Sequence, residues 1–173
     1  HNSSIFIFHG IKGIGKRSLA DKICQKILDT NKKDEFHKSE IFTNNFNNPK
    51  HKKLFKNNSH PDFFLLENYE NKKIKIDYTR QLKNFLNKTP SISNNKVVII
   101  DPIESLTLNA TNSLLKNFEE VKNNVYIFLI SHNFIKVLNT IKSRVFKFYF
   151  KPLNKNEFLH ISKLFNFKNF DDE

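Results

Sequence analysis

The sequence has few of the features that mark secreted, metal-stapled or membrane proteins. Its 173 residues include one cysteine, Cys24, which has no partner for an intrachain disulfide. The longest apolar run, residues 125–130, is far shorter than the ~20 residues that a membrane span needs. A leader segment with a cleavage site is also missing. These absences exclude a disulfide-stapled miniprotein, and they favour a reducing, cytoplasmic location without a membrane partner.

Arginine is scarce although the chain is strongly basic. Lys and Arg number 29 against 17 Asp and Glu, which gives a net charge of +12, but only Arg17, Arg80 and Arg144 are arginine. A basic surface can bind the phosphates of nucleic acid. Lys and Asn are abundant along the whole chain, however, so the charge alone does not identify a nucleic-acid partner. The three arginines are the more informative cations.

Short apolar runs alternate with amphipathic segments, which is typical of a parallel sheet with crossover helices. Strands are predicted at residues 5–8, 63–67, 97–100, 125–130 and 145–148. The third run is apolar on both faces, as expected of a buried parallel strand. The sequence therefore predicts an α/β fold in which helices sandwich a five-stranded parallel sheet.

The chain divides into one core and the beginning of a second module. We expect residues 1–150 to form the core, with residues 31–59 as a polar insertion that contains some helix. Residues 151–173 are expected to begin a helical lid module, because Asn154 and Glu157 form a capping-box-like helix start. The absence of an initiator Met, together with a first strand that begins almost at once, suggests a piece of a longer chain.

A glycine-rich segment lies between the first predicted strand and the first predicted helix. It reads Gly10-Ile11-Lys12-Gly13-Ile14-Gly15-Lys16 and matches seven positions of the P-loop pattern G-x-x-x-x-G-K-[ST]. The glycines allow backbone N–H groups to wrap a phosphate at a helix N-terminus, and Lys16 would supply a point charge. The alternative is a glycine turn that only lets the helix pack on the strand.

Two departures from the ATPase pattern affect the metal and the attacking water. Arg17 stands where a Ser or Thr hydroxyl should hold Mg²⁺, and Ser18 follows about 100° further around the helix. Asp101, at the end of the third strand, has the position of a metal-binding acid. It is followed by Pro102, which cannot activate water, and Glu104 lies two residues further. We therefore expect ATP to bind weakly, without efficient Mg²⁺-dependent hydrolysis.

An ordered set of segments across nearly the whole chain resembles a known family. The set consists of residues 10–16, 60–62, 74–77 with Arg80, 97–102, 109–120 and 143–145. Together these segments are similar to the N-terminal domain of bacterial DNA polymerase III delta-prime subunits, which belong to the sliding-clamp loader. The resemblance implies an AAA+ P-loop NTPase fold. Pro102 favours delta-prime over the gamma/tau motor subunits, which usually carry Glu at that position.

The zinc module that many members of this family carry is not expected here. In those members four cysteines precede the segment equivalent to residues 60–62, whereas residues 31–59 contain none. The spacing of His37, His51 and His60 is not that of a metal knuckle. We therefore expect neither zinc nor another resident metal.

The resemblance also assigns roles to residues before the fifth predicted strand and at the end of the fourth. Residues 143–145, Ser-Arg-Val, correspond to a Ser-Arg-Cys motif whose arginine reaches the nucleotide of a neighbouring subunit, which implies that Arg144 is a trans arginine finger. A permanently charged, delocalised donor suits a γ-phosphate better than Lys does. Ser131 or His132 stands where a sensor residue would contact phosphate. The alternative for Arg144 is an arginine in a solvated loop. The alternative for Ser131 and His132 is an ordinary polar residue at the end of a strand.

Arg80 is a candidate DNA contact, and Cys24 is a candidate core residue. Arg80 lies near the start of a helix that, in clamp loaders, faces the chamber holding primer-template DNA, so the resemblance implies a phosphate contact. Its alternative is a solvated helix face. Cys24 lies on an apolar helical face and is expected in the core rather than as a nucleophile.

The resemblance implies a clamp-loader subunit that helps to load the sliding clamp onto primer-template DNA during replication. Its partners would be gamma/tau and delta subunits in a hetero-pentamer, the clamp and the DNA. It would act as a stator that supplies Arg144, and it would belong to an enzyme through membership of the polymerase holoenzyme. The alternative is a working ATPase, gamma/tau-like or another AAA+ machine, in which Ser18 and Glu104 replace the missing groups. A P-loop kinase or GTPase is disfavoured, because no substrate or guanine motif is present.

Overall fold

The computed structural model describes residues 4–29, 48–68, 74, 76–119, 121 and 124–164. Five strands lie in this part of the chain: β1 Ile5–His9, β2 Phe63–Glu67, β3 Lys96–Asp101, β4 Val125–Ser131 and β5 Phe146–Tyr149. The helices are α1 Lys16–Asp29, α2 Pro49–Lys56, α3 Ile76–Asn87, α4 Leu108–Glu119, α5 Asn139–Lys142 and α6 Lys155–Leu164. None of the helices in these ranges is long and apolar enough to span a membrane.

The five strands form a single sheet in the order β2-β3-β4-β1-β5, and all neighbouring pairs are parallel. The predicted five-stranded parallel α/β fold is therefore confirmed. Parallel pairing places all carboxyl ends at one edge, where His9 is level with Ser131 and Glu67 is level with Asp101. The fifth strand begins at Phe146, one residue later than predicted.

The two faces of the sheet bury separate apolar clusters. On one face, Val97 and Ile99 of β3 pack with Cys24 and Leu28 of α1 and with Phe55 of α2. The opposite face packs against α3, α4 and α5, and its buried members include Val98, Ile100, Ile127, Leu82, Leu114 and Ile141. The alternation along β3 follows the period of two of a strand, so both of its faces are apolar. Helices thus cover both sides of the sheet.

Cys24 is fully buried in the first of these clusters, as predicted. Burial raises the pKa of its thiol well above the ordinary value, and the nearby Asp21 carboxylate acts in the same direction. A thiol with a raised pKa is a poor nucleophile, because the thiolate is the reactive form. The side chain therefore serves packing.

The His60-Pro61-Asp62 segment has a structural role at the start of β2. The Asp62 carboxylate is fully buried and accepts hydrogen bonds from the backbone N–H groups of Ser91, Ile92 and Ser93, at 2.6, 2.8 and 2.7 Å. The buried His60 accepts the N–H of Asp62 at Nδ1, at 3.2 Å. The segment thus fixes the loop that leads into β3.

The predicted capping box is present at the start of α6. Asn154 Oδ1 accepts the N–H of Glu157 at 2.9 Å, and Glu157 Oε2 accepts the N–H of Asn154 at 2.9 Å. This reciprocal pair satisfies two N–H groups at the helix start.

Parts of the predicted domain division fall outside the described residues, namely residues 31–47 of the insertion and 165–173 of the lid segment. Within the insertion, Pro49–Lys56 forms α2, with Asn48 accepting the N–H of Lys50 as its N-cap. The bounds of the core, insertion and lid segment stay predictions.

Candidate functional site

The glycine-rich loop joins β1 to α1 at the carboxyl edge of the sheet. All three glycines of the chain lie in it, and their φ angles are +149° at Gly10, +89° at Gly13 and +87° at Gly15. Such positive values favour glycine strongly. A Cβ at Gly10 would lie 2.4 Å from the Phe150 carbonyl oxygen, whereas one at Gly13 or Gly15 would meet no heavy atom within 4 Å. The loop is therefore anchored at Gly10 and open at its other two glycines.

Lys16 begins α1 and is almost completely buried. Its ammonium group donates to the carbonyl oxygens of Gly10 at 2.9 Å and Ile11 at 2.6 Å. Burial lowers the pKa of Lys16, while the charges of Asp101 and Glu104 act against that shift. The ammonium group therefore lies inside the loop, held by two backbone carbonyl oxygens, and its contact with phosphate stays a prediction.

Arg17 lies among three carboxylates. Its Nε donates to Asp21 Oδ1 at 2.9 Å, and its Nη1 lies 2.8 Å from Glu67 Oε1 and 3.6 Å from Asp101 Oδ2. Burial lowers the pKa of Arg17, but the Asp21 hydrogen bond and the three negative charges outweigh it and raise the pKa above the ordinary value. The guanidinium is therefore a permanent cation at the position where the P-loop pattern has a hydroxyl.

Asp101 has a polar neighbour at each of its two carboxylate oxygens. Oδ2 faces Arg17, and Oδ1 lies 3.4 Å from Nε2 of His132. Burial raises the pKa of Asp101, while His132 and Arg17 lower it. Burial lowers the pKa of His132, with Lys16 acting in the same direction and Asp101 against it, which favours the neutral imidazole. The prediction that Asp101 lies beside the glycine loop agrees with this geometry.

The alternative of a working ATPase would use Ser18 and Glu104 in place of the missing catalytic groups, but Glu104 is engaged with backbone and Ser18 is exposed. Glu104 Oε1 accepts the backbone N–H groups of His132 at 2.7 Å and Asn133 at 2.9 Å, which ties its carboxylate to the loop after β4. Ser18 is exposed on α1. Ser131 is fully buried, and its Oγ has no hydrogen-bond partner within the described ranges. Of the two sensor candidates, His132 is the one in contact with Asp101.

A divalent metal does not fit this arrangement. The three carboxylates that could ligate it surround the Arg17 guanidinium instead. In the part of the chain that the structure describes, no group of three or more His, Cys, Asp or Glu side chains is arranged to hold a metal ion. The rings of His51 and His60 lie edge to face at 5.1 Å, while His37 lies outside the described residues.

A phosphate group fits better than a metal does. The loop has open space at Gly13 and Gly15, a buried ammonium at Lys16 and the N-terminus of a 14-residue helix. Helix N-termini present free backbone N–H groups and a positive dipole end, which favour an anion.

Arg144 lies apart from this cluster, after the short helix α5. Its side chain is 43% exposed, with Nη1 donating to the Thr140 carbonyl oxygen at 3.1 Å and Nη2 lying 3.4 Å from Glu119 Oε1. The Glu119 side chain is itself 62% exposed. The structure thus presents Arg144 at the surface rather than in the chain's own glycine-loop site.

Arg80 is exposed on the first turns of α3. Its Nη1 lies 3.2 Å from Asp77 Oδ1, and the two side chains are 72% and 68% exposed. Exposed ion pairs of this kind contribute between 0 and about 1 kcal/mol. Arg80 is accessible, although Asp77 offsets part of its charge.

Sequence reasoning missed two of the carboxylates at the site. Asp21 is one helical turn after Arg17, the spacing of an i,i+4 ion pair, so its contact was available from the sequence. Glu67 ends β2, and only the pairing of β2 with β3 brings it level with Asp101.

The strand order, the glycine loop after β1 and the acid at the end of β3 together define an AAA+ type P-loop NTPase domain. A family model described as DNA polymerase III, delta subunit, matches residues 1–154, and the chain belongs to this family.

Similar proteins agree with the family assignment. The protein named DNA polymerase III subunit delta' from Pseudomonas aeruginosa is 35% identical over 145 residues, which cover 80% of this chain and 40% of that protein. A protein of the same name from Buchnera aphidicola subsp. Schizaphis graminum is 35% identical over 94 residues, which cover 54% of this chain and 29% of that one. The chain therefore spans less than half the length of these curated relatives.

A solved structure shows the same fold. The crystal structure of a DNA polymerase III, gamma subunit-related protein from Thermotoga maritima matches with a TM-score of 0.66 and 22% identity. The match covers 92% of this chain and 44% of that one.

Proposed function

We propose that this chain is the AAA+ part of a delta-prime-like subunit of the DNA polymerase III clamp loader. In this role the subunit helps to load a sliding clamp onto primer-template DNA, and it acts as a stator with little ATP hydrolysis of its own. The observation that carries the proposal is the engagement of Asp101 by Arg17 and His132, since a working ATPase would use that acid for its metal.

The family assignment supports the choice of complex. Relatives that carry the delta' name match most of the chain or about half of it, so the proposed partners are gamma/tau and delta subunits in a hetero-pentamer. The other proposed partners are the sliding clamp and primer-template DNA. The proposed location of the subunit is the cytoplasm.

Arg144 is proposed to act on the nucleotide of a neighbouring subunit. Its contacts with Thr140 and Glu119 lie at the surface, where an ion pair contributes at most about 1 kcal/mol. Such contacts are weak enough to be exchanged for a phosphate. An arginine finger in other NTPases contributes roughly 10³–10⁵ in rate. The effect here should be smaller, because a loader has several nucleotide sites and only one would lose its partner.

The glycine loop is proposed to bind ATP weakly. Gly13, Gly15 and Lys16 provide the phosphate-binding elements, whereas Glu104 is tied to backbone N–H groups and Ser18 is exposed. This arrangement supports the stator over the gamma/tau-like or other working AAA+ ATPase. Equilibrium binding of labelled ATP should weaken in Lys16→Ala, and unchanged affinity would mean that the loop is only a turn.

Arg80 is proposed to contact a DNA phosphate. Its exposure on α3 leaves it free to reach a ligand, and a phosphate contact needs only charge and reach. Loss of such a contact should weaken DNA binding by the assembled loader and lower its salt dependence by about one counter-ion.

The proposal is tested in a loader reconstituted with the full-length subunit carrying Arg144→Ala. DNA- and clamp-stimulated ATPase and clamp loading are measured, and assembly is checked by gel filtration. Lys151→Ala, which removes one exposed positive charge at the opposite end of β5, is the control for loss of charge. We expect normal assembly with impaired turnover only in Arg144→Ala.

Two results would contradict the proposal. Wild-type loading rates in Arg144→Ala would make that residue an ordinary surface arginine. Mg²⁺-dependent ATP turnover by the isolated full-length protein would favour the working ATPase.

A further inference from the structure

We propose that the Arg17 guanidinium is a resident cation that takes the place of the divalent ion, so that the glycine loop takes up a nucleoside polyphosphate without metal. This inference rests on the nucleotide binding proposed above. It concerns which positive charge neutralises the carboxylates of the site and the bound phosphates.

The first argument is that the metal's position is already filled by a charge. Asp21, Glu67 and Asp101 come from α1, β2 and β3, and all three approach the same guanidinium. Mg²⁺ requires a near-octahedral set of oxygens at about 2.0–2.1 Å. A metal ion would have to displace Arg17 and break its ion pairs, leaving a partly buried guanidinium without its partners.

The second argument concerns the other oxygen of Asp101. Nε2 of His132 lies 3.4 Å from Oδ1, so the side of the carboxylate that Arg17 leaves open faces an imidazole. The carboxylate of Glu104, which is nearby in sequence, is bound to two backbone N–H groups. One oxygen of each acid therefore has a partner within the chain, Arg17 at Asp101 Oδ2 and backbone N–H groups at Glu104 Oε1, while Asp101 Oδ1 and Glu104 Oε2 accept no hydrogen bond in the described ranges.

The third argument is that Arg17 keeps a donor available. Nε donates to Asp21 and Nη1 faces Glu67 and Asp101, whereas Nη2 forms no hydrogen bond or ion pair within the described ranges. Arginine suits phosphate because its planar group offers several N–H donors in a fixed geometry. Arg17 is the second residue of α1, beside Lys16, where backbone N–H groups already favour an anion.

The test begins with the metal alone, so that it does not depend on nucleotide. Mn²⁺ is titrated into the full chain, and the EPR signal of the free ion reports binding. We expect no site in the wild type and one new site in Arg17→Ser, where the carboxylates gain a hydroxyl and lose their cation. Arg17→Lys keeps the charge and should resemble the wild type. Asp101→Asn in the Arg17→Ser background should abolish the new site.

The second measurement uses a fluorescent ATP analogue in EDTA and in Mg²⁺. For the wild type we expect dissociation constants that agree within about twofold in the two conditions. For Arg17→Ser we expect Mg²⁺ to tighten binding by about tenfold or more. Circular dichroism checks that each variant is folded.

The outcomes separate this inference from the nucleotide binding on which it rests. Two results overturn the inference: a Mn²⁺ site in the wild type that Asp101→Asn removes, and wild-type nucleotide binding that needs Mg²⁺. Both can be measured even if Arg17→Ser fails to fold. If the wild type binds neither Mn²⁺ nor nucleotide while Arg17→Ser gains the Mn²⁺ site, the resident cation is supported and the proposed nucleotide binding fails.

Discussion

The Arg17 guanidinium lies 2.8 Å from the Glu67 carboxylate, which ties the first turn of α1 to the end of β2. β2 is an outer strand of the sheet, and α1 follows β1. Two strands, β3 and β4, separate β2 from β1 in the sheet. The side chains are 25% and 15% exposed, so solvent and salt screen this pair less than a surface pair. The contact therefore couples two elements that no sheet hydrogen bond connects.

A double-mutant cycle should detect this coupling. Arg17→Met and Glu67→Gln, alone and together, are compared by urea denaturation, and we expect an interaction free energy of about 1–2 kcal/mol. The physical reason is that each single change removes an opposite charge from a partly buried one: Glu67 loses its cation, and Arg17 keeps only Asp21 and Asp101.

The exposed pair Arg80 and Asp77 is the matched control for that cycle. Its side chains are 72% and 68% exposed, so Arg80→Met with Asp77→Asn should give an interaction below about 0.5 kcal/mol. Equal values for the two pairs would contradict the buried role assigned to Arg17.

Asp62→Ala should destabilise the fold strongly. The carboxylate accepts three backbone N–H groups and is fully buried, so its removal leaves donors at residues 91–93 without an acceptor. Because hydrogen bonds to charged groups contribute about 1.5–3 kcal/mol each and are not additive, we expect a loss of at least about 3 kcal/mol in the free energy of unfolding. Denaturant midpoints measure this loss. Asp77→Ala, at an exposed position, should cost less than about 1 kcal/mol, and a similar cost at both sites would refute the anchoring role.

Much of the fold could be predicted because local chemistry decides it. The continuous apolar run in β3 has the pattern of a strand buried on both faces, and the structure buries every residue of that strand. The glycine loop between β1 and α1 was also readable, since three glycines and a lysine occur at a fixed spacing. The contact of Arg17 with Asp101 at 3.6 Å agrees with the expected meeting of that loop and the end of β3.

The partners of Arg17 could not be predicted in full, because they depend on strand order. Pairing of β2 with β3 sets Glu67 level with Asp101, and the sequence pattern of Glu67 alone does not distinguish an outer from a central strand. The hydrogen bonds from backbone N–H groups after β4 to Glu104 could not be predicted either. The segment after β3 and the segment after β4 meet only in the folded sheet. Long-range pairing therefore decides which acids at the carboxyl edge have partners.

Gly10→Ala should be far more damaging than Gly13→Ala, although both glycines have positive φ. At Gly10 the new Cβ would lie 2.4 Å from the Phe150 carbonyl oxygen and 2.9 Å from Ile14 Cδ1, whereas at Gly13 it meets open space. Backbone strain alone costs about 1–2 kcal/mol, which is the expected loss for Gly13→Ala. Gly10→Ala adds a clash with backbone, and we expect at least about twice that loss in thermal or urea unfolding. Equal losses would mean that the loop is not anchored at Gly10.

The stability of the fold should decrease as the pH falls below the ordinary histidine range. Burial lowers the pKa of His60, with the charge of His51 acting in the same direction and Asp62 opposing it. Burial also lowers the pKa of His9 and of His132. In the unfolded chain these groups take up protons near pH 6.5, so below that value the unfolded state binds more protons than the folded one. The stability contributed by keeping these histidines neutral is therefore fully present above pH 6.5, and it is lost as the pH falls toward their lowered pKa values.

His60→Asn isolates the contribution of one of these histidines. The amide oxygen of Asn can accept the N–H of Asp62, as His60 Nδ1 does at 3.2 Å, but it does not titrate. The free energy of unfolding is measured by urea denaturation for both proteins between about pH 8 and pH 5.5. Values at about pH 8 give the pH-independent cost of the substitution, because His60 is neutral there. We expect the variant to lose less stability on acidification, since protonation of the wild-type imidazole must break the hydrogen bond to Asp62 and charge a buried ring. Parallel pH profiles would show that His60 does not set the acid sensitivity, and the loss would then belong to His9 and His132.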